Sequence, residues 1–142
     1  MTMVYEKSCG FVVYKNQEGM RTYLIIRASN GEYGFPKGHV EGHETEHETA
    51  IRELKEETNL EVHVIDGFRR PIEYQFPTKT NVMKQSVYFL GRCMDANIVW
   101  RENEIREAKF VSLETALSLL SFDETKEILK DADTYLCSIS AM

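Results

Sequence analysis

The stretch Gly38-His39-Val40-Glu41-Gly42-His43-Glu44, running on into Arg52-Glu53-Leu54-Lys55-Glu56-Glu57, constrains this chain more than any other. A glycine-containing loop feeds a helix whose two ends are both marked. Thr45 followed by Glu48 is a capping-box pattern, which starts the helix at Glu46. Asn59 can adopt the left-handed conformation that closes it after Thr58. At about 100° per residue, Ala50, Ile51 and Leu54 share one side. Glu53, Glu56 and Glu57 occupy an adjoining arc of about 100°, with Glu46 close by. The helix is therefore expected to pack its apolar edge on the body of the protein and to carry carboxylates along its flank. Exposed like charges at this spacing repel by only about 0.2–0.5 kcal/mol per pair, so a solvated acidic face costs little. In a partly dry cleft the same pair, ~6 Å apart at an effective dielectric of ~20, repels by roughly 3 kcal/mol, and cations must hold the array together. Oxygen-only ligation suits Mg²⁺, or Mn²⁺, rather than zinc. Spacing alone leaves both readings open.

The rest of the chain predicts strands interleaved with this helix and closed by further helices. Cys9–Tyr14 and Tyr23–Ala28 are apolar, β-rich runs on either side of the polar turn Lys15-Asn16-Gln17-Glu18-Gly19, a hairpin pattern. Tyr33–Pro36 leads into the glycine loop, and Val62–Phe68 is a strand. Ile72, Tyr74 and Phe76 alternate with Glu73 and Gln75, as a half-buried strand does. A turn over Pro77–Asn81 returns as the strand Val82–Arg92, and Ala108–Val111 is a short closing strand. Helical patterns follow at Leu113–Leu120 and Asp123–Asp131, the second with a Ser121/Glu124 capping box. This order predicts an α/β sheet covered on both faces. With 142 residues, the chain reads as one domain, 1-142, able to bury about two-thirds of its unfolded surface.

Composition narrows the function classes. A net charge of −6 disfavours broad nonspecific nucleic-acid contacts, so no stable nucleic-acid complex is expected. It is compatible with a small polyphosphate, because metal ions neutralise both the substrate and the carboxylates that hold them. No apolar run approaches the length of about 18 residues that a membrane span needs, and no basic-then-apolar leader opens the chain, so neither membrane nor export is expected. Cys9, Cys93 and Cys137 are odd in number and widely spaced, which fits reduced thiols in a cytoplasmic protein. The four histidines show no metal-ligand spacing with them, and His47 and His63 read as ordinary packing residues.

The acidic string as a whole resembles the Nudix box, G-x5-E-x7-R-E-U-x-E-E-x-G-U, where U is a bulky aliphatic residue. Gly38, Glu44, Arg52, Glu53, Leu54, Glu56, Glu57 and Leu60 match, and Asn59 stands where the family usually has glycine. The resemblance implies a Nudix-type α/β/α sandwich with a mixed β-sheet, and Mg²⁺-dependent hydrolysis of a nucleoside polyphosphate by water attack. Further segments are similar to the family's asymmetrical diadenosine tetraphosphate hydrolases. These are Ser8–Tyr14, Phe35–Glu41, Gly67–Arg70, Lys84–Leu90 and Tyr135–Ile139. A Trp common before the Pro-Lys-Gly-His segment is absent, with Tyr33 nearby and Phe35 in its stead.

That resemblance assigns roles. Glu53, Glu56, Glu57 and the carbonyl of Gly38 would ligate Mg²⁺, for which Mn²⁺ can substitute, although a tight turn alone would also explain Gly38. Arg52 would hold a helix carboxylate, with Glu48 one turn earlier, and Glu44 would support the loop. The general base is either Glu53 or Glu104, the latter from the segment Arg101-Glu102-Asn103-Glu104-Ile105, or else Glu104 is a surface residue. Glu57 counts with them as catalytic. Lys37 and Lys84 are point charges for outer phosphates, unless solvated. His39 flanks the loop within reach of substrate, and Tyr88 and Tyr135 match positions linked to adenine recognition, unless Tyr88 belongs to the core. Diadenosine tetraphosphate, split to ATP and AMP, is the expected substrate. Alternatives are pyrophosphate removal from 5′-triphosphorylated RNA or a modified nucleoside triphosphate, with a basic track through Arg69, Arg70, Lys79 and Lys84, or a silent nucleotide-sensing module. The chain is expected to act as a monomer or small homo-oligomer.

Overall fold

Cys9, Phe11 and Val13 are buried on one side of the first strand and Val12 and Tyr14 on the other. A strand apolar on both faces has to lie inside a sheet. In the computed structural model, which describes residues 4–76, 79–94 and 97–140, this strand, β1 (Val4–Gln17), is the middle of the sheet. It is followed by β2 (Met20–Ala28), β3 (Tyr33–Gly34), β4 (Lys37–His39), α1 (Glu46–Thr58), β5 (Val62–Phe76), β6 (Lys79–Cys93), β7 (Ile105–Ser112), α2 (Leu113–Leu119) and α3 (Asp123–Ser140). The strands lie in the order β3-β2-β1-β6-β5, with β4 added to β1 and β7 to β2. β1 and β6 run parallel from Val4↔Val82 to Tyr14↔Arg92, and the other pairs are antiparallel. The mixed sheet expected from the sequence is what forms.

Alternation along β1, β2 and β6 divides the core in two. Phe11, Leu24 and Phe89 meet Ala50 and Leu54 of α1 on one face. Tyr14, Ile25 and Leu90 meet Ala116 of α2 and Ile128, Leu129 and Leu136 of α3 on the other. This is the α/β/α sandwich. No described helix is long and apolar enough to cross a membrane.

Several local expectations change. The hairpin turn is only Glu18-Gly19, both at positive φ (51° and 79°), the type that matches strand twist. The runs Val62–Phe68 and Ile72–Phe76 are one strand, β5, whose pairing with β6 shifts between Val64 and Arg69, where Gly67 adopts φ 91°. Of the turn expected at Pro77–Asn81, Pro77 and Thr78 lie outside the described residues. Ser121 caps nothing: its hydroxyl accepts a hydrogen bond from the Tyr33 N–H at 2.9 Å. α3 continues to Ser140 rather than ending near Asp131, because Ala132 and Leu136 keep its buried stripe in register.

Candidate active site

Helix α1 forms where its end signals place it. Thr45 and Glu48 complete a capping box, and Asn59 closes the helix at φ 65°, ψ 13°. Its inner face is Thr49, Ala50, Leu54 and Thr58; Ile51, expected on that face, is 47% exposed. The difference is one of angle, since Thr58 spends its hydroxyl on the Leu54 carbonyl at 2.7 Å and can enter the core beside Leu54. With that face fixed, Glu53 and Glu57 are half-buried and Glu56 is exposed.

The glycine loop meets this flank at close range. β4 pairs with β1 through Gly10↔Lys37, Cys9↔Gly38 and Ser8↔His39. A Cβ on Gly38 would fall on the Glu53 carboxylate, so only glycine lets the loop backbone lie against that side chain.

Arg52 organises the carboxylates. Its Nε and Nη2 donate to Glu44 at 2.7 and 3.0 Å, and Nη2 also donates to the His39 carbonyl at 3.0 Å. Nη1 donates to Glu53 at 2.8 Å and to Glu56 at 3.2 Å. The partner expected for Arg52, Glu48, is instead committed to the Thr45 N–H in the capping box. Arg52 holds the Glu44 carboxyl down to about 2, and Glu44 in turn accepts from the Glu41 N–H and the Thr49 hydroxyl. Glu46 is tied off away from the array by Lys7 at 2.8 Å and Arg69 at 2.9 Å.

Glu57 is the unusual member. Burial, then the Glu53 charge, pushes its carboxyl up to about 8, only partly offset by a hydrogen bond from the Lys37 backbone. Its Oε2 is buried with no hydrogen-bond partner. An orphaned carboxylate oxygen in a cleft is the kind of group a cation satisfies. Burial also raises the Glu53 carboxyl, against the pull of Arg52. Glu104 stands near enough to contribute to the rise at Glu57, and Arg101 lies 3.9 Å from its carboxylate. Among the described residues no three His, Cys, Asp or Glu side chains converge into a finished ion cage. What is assembled is an oxygen-only donor set along one helix flank, facing a loop that glycine brings into contact.

A cavity of about 430 Å³ opens from Glu57 and Lys37 along the α3 face of the sheet. Lys37 donates to the Ser86 hydroxyl at 3.2 Å and lies 6.0 Å from the Tyr88 ring centroid. Burial, then the neighbouring Lys84, lowers its ammonium to about 8. Lys84 sits 5.9 Å from the Tyr74 ring. The apolar walls are Tyr33, Phe35, Ile72, Tyr74, Tyr88 and Phe122. Tyr88 serves two ends: it is 2% exposed and packs edge-on to Phe35 at 5.5 Å, yet it lines the cavity.

The structure does not bring every expected residue to this place. Tyr135 is not among the cavity's lining; its hydroxyl donates to the Asp66 carbonyl at 2.6 Å and its ring meets Phe68, which explains why Gly67 has no room for a side chain. His39 is exposed, and its carbonyl is what contacts Arg52. Tyr74 and Phe122 were not singled out by the sequence, although an aromatic left 39% and 49% exposed at a cavity rim is a binding signal. Nothing in their spacing predicted it.

Comparison with known proteins points the same way. The NUDIX domain family model matches residues 5–132. The asymmetrical bis(5′-nucleosyl)-tetraphosphatase of Mus musculus is 33% identical, covering 95% of this chain and 98% of that protein. Its counterpart from Caenorhabditis elegans is 27% identical over 92% of this chain and 96% of that one. A crystal structure of a C. elegans Ap4A hydrolase binary complex superposes with a TM-score of 0.85 at 26% identity, over 94% of this chain and 98% of that one.

Proposed function

The chain belongs to the Nudix family, and from that premise we propose that residues 1-142 act as one domain hydrolysing dinucleoside tetraphosphates asymmetrically, diadenosine tetraphosphate among them, which yields ATP and AMP. The observation that carries this reading is the aromatic cavity that runs directly into Glu57 and Lys37. A base stacked in it gains about 1–3 kcal/mol, and its phosphates then reach the carboxylate flank.

Glu53, Glu56, Glu57 and the Gly38 carbonyl would hold Mg²⁺, for which Mn²⁺ can substitute; the orphaned Glu57 Oε2 and the oxygen-only donors fit such an ion. A bound divalent ion acidifies water and spreads the charge on phosphate oxygens. The chain's own groups do the rest. Lys37 in the cavity, and Lys84 beside it though not among its lining, attract the outer phosphates, and the apolar walls exclude bulk water. Arg52, anchored on Glu44, orients Glu53. Glu53 already accepts from Arg52 and would serve as a ligand, so Glu104, whose charge reaches Glu57, is the group assigned to take the proton of the attacking water. Tyr88 and Phe35 position the base, and Tyr135 packs on Phe68 of the same core cluster.

Triphosphorylated RNA gains no comparable support. Of the basic track it would need, Arg69 is paired with Glu46 and Arg70 with Asp131. A silent module fits less well still, since every box carboxylate is present. Incubation with Mg²⁺ and diadenosine tetraphosphate, followed by chromatography, tests the proposal. Equal ATP and AMP, absent with Glu57→Gln, is the expected result. Two ADP would contradict the asymmetric register, and no product would overturn the substrate assignment.

A further inference from the structure

Besides Glu32, whose charge acts on Lys37, the charged and aliphatic hydroxyl groups lining the cavity fall into two sets. Lys37, Ser86 and Glu57 are joined to the phosphate-handling flank. Glu124 and Thr125, in the first turn of α3, line the same cavity and take no part in that chemistry. The segment leading into α3 is fixed against Tyr33 by reciprocal hydrogen bonds, Tyr33 N–H to the Ser121 hydroxyl at 2.9 Å and Ser121 N–H to the Tyr33 carbonyl at 3.2 Å. Phe122, between that staple and Glu124, supplies an aromatic edge.

The hydrogen-bonding character of this second set is one-sided. Thr125 is 7% exposed, and its hydroxyl already donates to the Phe122 carbonyl at 2.8 Å, so its oxygen is left as an acceptor. The Glu124 carboxylate is acceptor-only when ionised. Both groups therefore call for donors. Guanine presents two on its Watson–Crick edge, N1–H and the 2-amino group. Adenine offers its 6-amino group beside the N1 lone pair, which faces a carboxylate unfavourably.

Building on the dinucleoside tetraphosphate reading, we propose that Glu124 and Thr125 form a base-edge reader that draws guanine into the cavity in preference to adenine. A mixed adenosine–guanosine tetraphosphate then binds in one orientation. One good paired contact is worth about tenfold in discrimination between bases.

The mixed substrate reports orientation by its products. Asymmetric cleavage yields either ATP with GMP or GTP with AMP, according to which nucleoside the cavity holds. The ratio is internal to each reaction and independent of overall rate. With Mg²⁺ present, the wild type should favour one pair by about tenfold. Glu124→Gln, whose amide pairs with the adenine edge as readily as with guanine, should bring the ratio to near unity or reverse it. In parallel, GMP should bind the wild type more tightly than AMP by titration calorimetry, and Glu124→Gln should erase the difference. Equal product pairs from the wild type, a bias that Glu124→Gln leaves intact, or tighter AMP than GMP binding would overturn the inference while leaving asymmetric hydrolysis standing. Failure to cleave both diadenosine tetraphosphate and the mixed substrate would overturn the proposed function together with the orientation it supports.

Discussion

Glu53 leaves Gly38 no room for a side chain, and that single exclusion ties the loop to the helix flank. Gly38→Ala places a methyl where the Glu53 carboxylate now lies, so one of them must move. The helix itself rests on Ala50 and Leu54, away from the clash, so the fold should persist. The expected outcome is a fall of about 100-fold or more in kcat, the scale seen when a catalytic group is misplaced by about 1 Å, with an unchanged circular dichroism spectrum. Full activity in the alanine variant would show that Glu53 has no fixed position to protect. The residue types of this array were legible in the sequence because the motif is long and its helix is capped at both ends. Their partners were not. Glu48 and Glu44 are both carboxylates within reach of Arg52 in sequence, and only the capping box, which consumes Glu48, decides for Glu44.

At the scale of elements, three are joined through one carboxylate. Glu46 opens α1 and accepts from Lys7 on β1 and from Arg69 on β5. These contacts, led by Arg69, hold its carboxyl at about 2 against an ordinary 4.5. The folded state therefore favours the ionised form. That stabilisation is complete above about pH 4.5 and is lost as pH falls towards about 2. Because the pair is partly exposed, its worth is about 1 kcal/mol or less. Glu46→Gln should lower the melting temperature at neutral pH, and the gap from wild type should close through that acid window. A gap that ignores pH would contradict the linkage. The strands and α1 were readable from alternation and capping, whereas α3 was cut short and given a false cap. Ser121 followed by Glu124 has the right spacing, but the Tyr33 backbone claims the hydroxyl first, a contact across 88 positions that no local pattern contains.

For the whole molecule, the sheet brings together what the chain keeps apart. The cavity takes residues from β2, β3, β4, β5, β6, α1 and α3, which is why it was not visible in the sequence although most of its chemistry was. Tyr135, an aromatic matched by resemblance, packs on Phe68 and donates to the Asp66 carbonyl rather than lining the cavity. If the proposed cation binds, a net charge of −6 and an unsatisfied Glu57 oxygen should make the protein's stability respond to it. Mg²⁺ at about 100 times its Kd would add about 2.7 kcal/mol, read as a rise of several degrees in melting temperature that chelation reverses. Glu57→Gln should shrink that rise, and an equal rise in both proteins would place the ion elsewhere.

The central claim is that the aromatic cavity and the carboxylate flank are one continuous site. A crystal structure with Mn²⁺ and a non-hydrolysable dinucleoside tetraphosphate tests it most directly. The account predicts anomalous density for the ion against Glu53, Glu56 and Glu57, with a base lying among Tyr74, Tyr88 and Phe122. An ion bound away from Glu57, or both bases outside the cavity, would contradict it.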